Sequence, residues 1–73
     1  MHIEYDREND TAYVSLVEHI ADGAAVRQLP VDGVGADAEV FLDVDASGRL
    51  LGIEVIGAGG ALPVEVLRGA STG

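Results

Sequence analysis

The sequence has 73 residues, no cysteine and a formal net charge of −9, which comes from thirteen Asp and Glu against four Arg. A chain of this size buries only about 60% of the surface that it exposes when unfolded, so its stability is limited. Disulfides are excluded, and two histidines without cysteine cannot build a Cys/His zinc cluster. The negative charge argues against nucleic-acid binding, which depends on Lys and Arg. We therefore expect a small domain that forms a homo-oligomer, most simply a dimer, or binds a protein partner.

The N-terminal segment is charged within its first eight residues, unlike the basic and then apolar layout of a secretory signal. The longest apolar run, residues 50–62, is interrupted by Glu54 and four glycines. It is also shorter than the roughly 20 residues that a membrane helix needs. We expect a cytoplasmic protein that does not associate with membranes. The predicted organisation is one domain at residues 1–69 and a disordered tail at residues 70–73.

Two alternating segments near the N-terminus predict a first β-hairpin. Residues 2–8 alternate in polarity, residues 11–17 are rich in β-branched and aromatic side chains, and an Asn-Asp turn signal separates them. Residues 18–37 specify less structure because glycines are dispersed among short apolar groups. A third strand at residues 25–31 is expected to lie at a sheet edge or to end at Pro30, since Pro30 cannot donate a ladder hydrogen bond.

Residues 40–56 predict a second, central hairpin, because both of its arms alternate with a period of two around the turn sequence Asp-Ala-Ser-Gly. A four-residue loop would place Leu42 opposite Leu51 and Val40 opposite Ile53. Further along, Pro63 predicts the start of a short helix that ends near Arg68 and must pack on the sheet to be stable. The predicted fold is α+β: an antiparallel β-meander of four to five strands with one short C-terminal helix packed on one face.

The central turn also matches a calcium-loop pattern. Asp43, Asp45 and Ser47 occupy the first, third and fifth places, a glycine the sixth, and Glu54 the twelfth. The flanks oppose this interpretation, because an EF-hand needs helices where this sequence has strand periodicity. A solvated polar β-turn is the simpler interpretation, and calcium binding by these four residues is the alternative.

The sequence offers no catalytic constellation. The glycine-rich stretch at residues 57–60 stands between a strand and a helix, as phosphate-binding loops do, but the pattern is incomplete and Glu65 would repel an anion. We interpret the stretch as a flexible linkage. His2 and His19 lack metal-ligand spacing, and the serines lack the setting of a nucleophile. We expect neither enzymatic activity nor a cofactor.

One short helix cannot cover a sheet of four or five strands. The uncovered second face would then be partly apolar and would carry Phe41, Tyr13 and Val17, and such a patch is typical of an association surface. The acidic charge suits a basic protein partner, since opposite charges steer encounter. We therefore expect an interaction module that forms a homodimer or binds a basic protein through these three residues.

Several short motifs, taken in order, resemble a known family. They are Tyr5-Asp6, Asp10-Thr11-Ala12-Tyr13-Val14, Asp43-Val44-Asp45-Ala46-Ser47-Gly48-Arg49, Gly52-Ile53-Glu54-Val55 and Leu62-Pro63-x-Glu65-x-Leu67. In order and spacing they resemble the small bacterial family called domain of unknown function 2283. The resemblance implies a compact antiparallel meander with a C-terminal helix and no established activity. Members of this kind sometimes lie beside small toxin-like proteins, which implies an antitoxin-like role.

Overall fold

The computed structural model describes residues 1–72, which form one sheet and one short helix. The fold prediction is confirmed: the chain is α+β, with five antiparallel strands and a C-terminal helix. In chain order the elements are β1 (His2–Asp6), β2 (Thr11–Ser15), β3 (Arg27–Val31), β4 (Glu39–Val44), β5 (Leu50–Ile56), a 3-10 turn (Ala58–Gly60), α1 (Val64–Gly69) and β6 (Ser71–Thr72).

The strand order across the sheet is β3-β4-β5-β2-β1-β6. Strands β3, β4 and β5 form a meander, while the β1–β2 hairpin joins the sheet through pairing of β2 with β5. Strand β3 lies at one edge, as predicted from Pro30. Within the segment predicted as a tail, Ser71–Thr72 pairs in parallel with β1, and Gly73 lies outside the described residues.

The predicted register of the central hairpin is wrong by two residues. Leu42 pairs with Ile53, and Val40 pairs with Val55. The loop is one residue longer than predicted, since Val44 pairs with Leu50 and not with Arg49, and the backbone N–H of Asp45 donates to the carbonyl of Arg49 at 2.9 Å. A bulge between Asp43 and Val44 shifts the register by the second residue. A slip of two residues keeps each side chain on its predicted face, because the strand period is two.

The core lies between one face of the sheet, here called the core face, and the segment that follows β5. One row of the core face crosses five strands and includes Ala12, Val55 and Val40, which are buried. Ala58 from the 3-10 turn is fully buried against this row, and Leu67 from α1 packs at its margin. This small cluster positions the helix. In residues 1–72 no helix is long and apolar enough to cross a membrane.

Asp10 fixes the glycine-rich turn in place. Its backbone carbonyl accepts hydrogen bonds from the N–H groups of Gly57 and Ala58, both at 2.9 Å, and its carboxylate accepts the N–H of Gly59 at 2.8 Å. The same carboxylate oxygen accepts the hydroxyl of Tyr5 at 2.8 Å. The interpretation of this stretch as a flexible linkage is therefore wrong: the N–H groups of Gly57 and Ala58 donate to a backbone carbonyl, and that of Gly59 donates to a carboxylate of the chain itself.

Candidate protein-binding face

The face of the sheet opposite the core carries acidic side chains on three strands. We call it the carboxylate face, after Glu4, Asp6, Glu39, Asp43 and Glu54. Alternation along each strand places these residues on the side away from α1.

None of the four arginines occupies a strand position on the carboxylate face. Arg7 and Arg49 lie in turns, Arg68 lies in α1, and Arg27 alternates to the other side of β3. At the strand positions of this face the only basic residue is His2, whose Nε2 lies 3.2 Å from Oε1 of Glu4. The surface is therefore negative over most of its extent.

The two central aromatic residues share a row with two of these carboxylates. Tyr13 pairs with Glu4 on one side and Glu54 on the other, and Glu54 in turn pairs with Phe41. Neighbouring strands are about 4.8 Å apart, so Glu4 and Glu54 are separated by roughly 10 Å with Tyr13 between them. The row presents a phenol flanked by two carboxylates.

Hydrogen bonds hold the centre of the face in a fixed arrangement. The Tyr13 hydroxyl donates to Oδ2 of Asp43 at 2.7 Å, reaching across β5. The side-chain amide of Gln28 donates to Oδ1 of Asp43 at 3.1 Å and to Oε1 of Glu54 at 3.3 Å. Four strands thereby contribute to one network, and two carboxylates are oriented before any partner arrives.

Gly52 makes the Tyr13 contact sterically feasible. It lies in β5 next to Glu54 and is buried under the Tyr13 ring. A Cβ atom at position 52 would overlap the ring, with the ring carbon Cε2 at 2.8 Å. The absence of a side chain therefore lets the tyrosine lie flat across β5 and reach Asp43.

The environment of Tyr13 changes its acidity. Partial burial, the hydrogen bond to Asp43 and the nearby charges of Asp43 and Glu54 raise the pKa of Tyr13 to about 12. All of these effects disfavour the phenolate. The side chain consequently remains a hydrogen-bond donor throughout the physiological pH range and is poorly suited to act as a general base.

Two shallow grooves flank the tyrosine, and Glu4 and Tyr13 line both of them. Asp6 and Glu54 line one groove, while the other is bounded by the loop that follows β2, including Glu18. Both grooves are open to solvent and lined in part by carboxylates. Such grooves fit extended, cationic side chains better than an enclosed small molecule.

The structure brings only part of the predicted calcium site together. Asp43 and Glu54 meet through Gln28, whereas Oδ1 of Asp45 accepts the backbone N–H groups of Ser47 and Arg49, both at 2.9 Å. Asp45 therefore serves the turn itself. Within residues 1–72 no group of three or more His, Cys, Asp or Glu side chains is arranged to hold a metal ion. The calcium hypothesis gains no supporting observation from this geometry.

The predicted interface residues are also separated. Tyr13 and Phe41 lie in one row of the carboxylate face, and both are half-buried. Val17 lies beyond the end of β2, where its carbonyl accepts the hydroxyl of Ser15 at 2.6 Å. The face between Tyr13 and Phe41 is more acidic than the sequence suggested, because β5 inserts Glu54 between them. Their role at an interface stays a prediction.

A comparison with family models matches residues 2–58 to the family described as "Protein of unknown function (DUF2283)". The chain belongs to this family. The match covers all five antiparallel strands and ends at Ala58 in the 3-10 turn, so the family resemblance seen in residues 62–67 lies beyond it. Comparisons with curated proteins and with solved structures each returned no match.

The structure gives physical roles to several residues that the family pattern contains. Tyr5 and Asp10 tie the first hairpin to the 3-10 turn, and Tyr13 bonds to Asp43 over Gly52. Sequence reasoning missed Gln28 and the importance of Gly52. The missing information was the strand order, because β2 must pair with β5, and β3 and β5 with β4, to bring these residues to one place.

Proposed function

We propose that this member of the family is a protein-interaction module that binds a basic protein through its carboxylate face. An antitoxin-like association with a basic partner is one form of this function. The observation that carries the proposal is the Tyr13–Asp43–Gln28–Glu54 network, which fixes carboxylates on a face whose strand positions hold no arginine. The role needs no catalytic residue and no cofactor, and we place it in the cytoplasm.

The chemistry of the row favours arginine on the partner. A guanidinium can stack on the face of an aromatic ring and donate to carboxylates on both sides of it. Tyr13 between Glu4 and Glu54 offers this combination, and Phe41 adds apolar area in the same row. Because Gln28 and Tyr13 already orient two of the carboxylates, less conformational entropy is lost on binding.

The test compares two variants of equal charge. Neutralising three carboxylates on the face (Glu4→Gln, Glu39→Gln, Glu54→Gln) and three elsewhere (Asp22→Asn, Asp32→Asn, Glu65→Gln) changes the net charge from −9 to −6 in both cases. A basic protein recovered with the wild type from its own cells should bind the second variant and not the first in purified form. Equal binding to both variants would contradict the proposal.

A further inference from the structure

The core face contains a second row of side chains, which α1 leaves partly exposed. This aliphatic row consists of one residue from each of five neighbouring strands: Ile3, Val14, Ile53, Leu42 and Leu29. Ile53 packs against the buried cluster of the core. The other four residues of the row lie outside that cluster, and Leu29 is 37% exposed. Among the described residues no Leu, Ile or Phe is buried; the buried hydrophobic residues are Ala and Val.

The molecule exposes more surface than its mass predicts. Its accessible surface is 4923 Å², whereas a folded monomer of 7.5 kDa is expected to expose about 4250 Å². The excess is roughly 700 Å², close to the area of about 800 Å² that each partner contributes to a standard interface. The excess is thus of the size that one side of a standard interface would cover.

We propose that a second copy of this chain packs face to face on the aliphatic row. A twofold axis would place each row against an identical row, so that aliphatic side chains meet aliphatic side chains. The core face carries no carboxylate on any of its five antiparallel strands, and Arg27 is its only charged residue. The strands therefore contribute no acid to a dimer formed here, despite the charge of −9.

Electrostatic repulsion does not oppose this arrangement. Two stacked sheets lie about 10 Å apart, and the carboxylate faces then point outwards on opposite sides of the pair. The two sets of acids are separated by more than the Debye length of about 8 Å at physiological salt, so their repulsion is largely screened. Both carboxylate faces remain accessible, which gives the dimer two sites for the basic partner.

Pairing through the sheet edges is less favourable. Edge strand β3 contains Pro30, which removes one N–H donor from the edge. The opposite edge is β6, which has only two residues, Ser71 and Thr72. Within residues 1–72 neither edge offers a long ladder for strand addition, so the face is the better route for self-association.

Sedimentation equilibrium over a concentration series tests the proposal. We expect the wild type to approach twice the monomer mass of 7.5 kDa. Leu29→Lys should raise the dimer dissociation constant by about 30-fold or more, because it places a charge in an apolar contact. The control Val64→Lys adds the same charge at a helix residue that is 58% exposed, and should change the constant by less than about threefold.

A monomeric wild type, an unaffected Leu29→Lys dimer or an equal effect of Val64→Lys would overturn the proposal. If Leu29→Lys fails to fold, intermolecular methyl contacts in a wild-type sample of mixed isotope labelling decide the question. Contacts between Leu42 of one copy and the aliphatic row of the other are expected. Their absence from a sample that sediments as a dimer would place the interface elsewhere and reject the proposal.

Discussion

The hydroxyl of Tyr13 donates a hydrogen bond to the carboxylate of Asp43 at 2.7 Å, across a strand to which neither residue belongs. The contact joins β2 to β4 over β5 and depends on Gly52 beneath the ring. It links the first hairpin to the central hairpin and orders the centre of the carboxylate face. One contact therefore serves both the stability of the sheet and the proposed site.

Gly52→Ala should break this contact. The added methyl group overlaps the Tyr13 ring, which must swing out and release Asp43. We expect the free energy of unfolding to fall by about 1–3 kcal/mol, measured by urea denaturation. The matched control is Gly60→Ala, where the new methyl group meets open space, and its effect should stay within about 0.5 kcal/mol. Equal losses in both variants would show that the Tyr13 contact is not responsible.

Alkaline pH should destabilise the fold through Tyr13. Its pKa is about 12 in the folded chain and about 10 when unfolded, so the stabilisation is complete below pH 10 and is lost between pH 10 and 12. Absorbance titration should show this late ionisation.

The second tyrosine provides an internal comparison for the titration. The hydrogen bond to Asp10 also raises the pKa of Tyr5, and the chain has only these two tyrosines. Tyr13→Phe should remove the ionisation near pH 12 and reduce the loss of stability above pH 10. A wild-type Tyr13 that titrates near 10 would show that its hydrogen bond to Asp43 is absent.

We expect Asp10 to stabilise the fold by holding the segment that follows β5 in place. It has a positive φ of 52° and accepts hydrogen bonds from Tyr5 and Gly59 through one carboxylate oxygen. Asp10→Gly tolerates the backbone conformation but loses both bonds, and should cost about 1–3 kcal/mol in thermal or urea unfolding. Asp10→Asn keeps an acceptor oxygen and tolerates positive φ, so its cost should be smaller. A reversed order would contradict the assigned role.

The acidic turn of the central hairpin should act structurally. Removing the carboxylate in Asp45→Ala deprives the N–H groups of Ser47 and Arg49 of their acceptor, and should lower the free energy of unfolding by about 1 kcal/mol. Because this carboxylate is already engaged, added calcium should leave the melting temperature of the wild type unchanged. A rise with calcium that disappears in Asp45→Ala would instead support the calcium alternative.

Much of the fold could be predicted because local patterns dominate it. The alternation in residues 11–17 and 40–56 predicted strands, and Pro30 and Pro63 correctly predicted an edge strand and a helix start. Strand order is a non-local property, and nothing in the connection between β2 and β3 shows that β2 pairs with β5. The hairpin register was missed because a bulge and one extra loop residue leave little trace in a period-two pattern.

The candidate site was only partly predictable for the same reason. Tyr13 was assigned to an association surface, whereas Asp43 and Glu54 were assigned to a calcium loop. Their convergence follows from pairing across four strands, in which Gln28 supplies the bridging amide. Glycine within a strand signals a close approach in general. The sequence does not show which ring approaches Gly52.

Native mass spectrometry of the protein isolated gently from its own cells tests the central claim most directly, with Phe41→Lys as the comparison. Phe41 lies on the carboxylate face and away from the aliphatic row, so the variant should lose a basic partner while the self-association of the wild type is retained. The account predicts a wild-type mass that includes a basic protein and a Phe41→Lys mass without it. A wild-type chain that carries no basic protein, or a partner retained by Phe41→Lys, would contradict it.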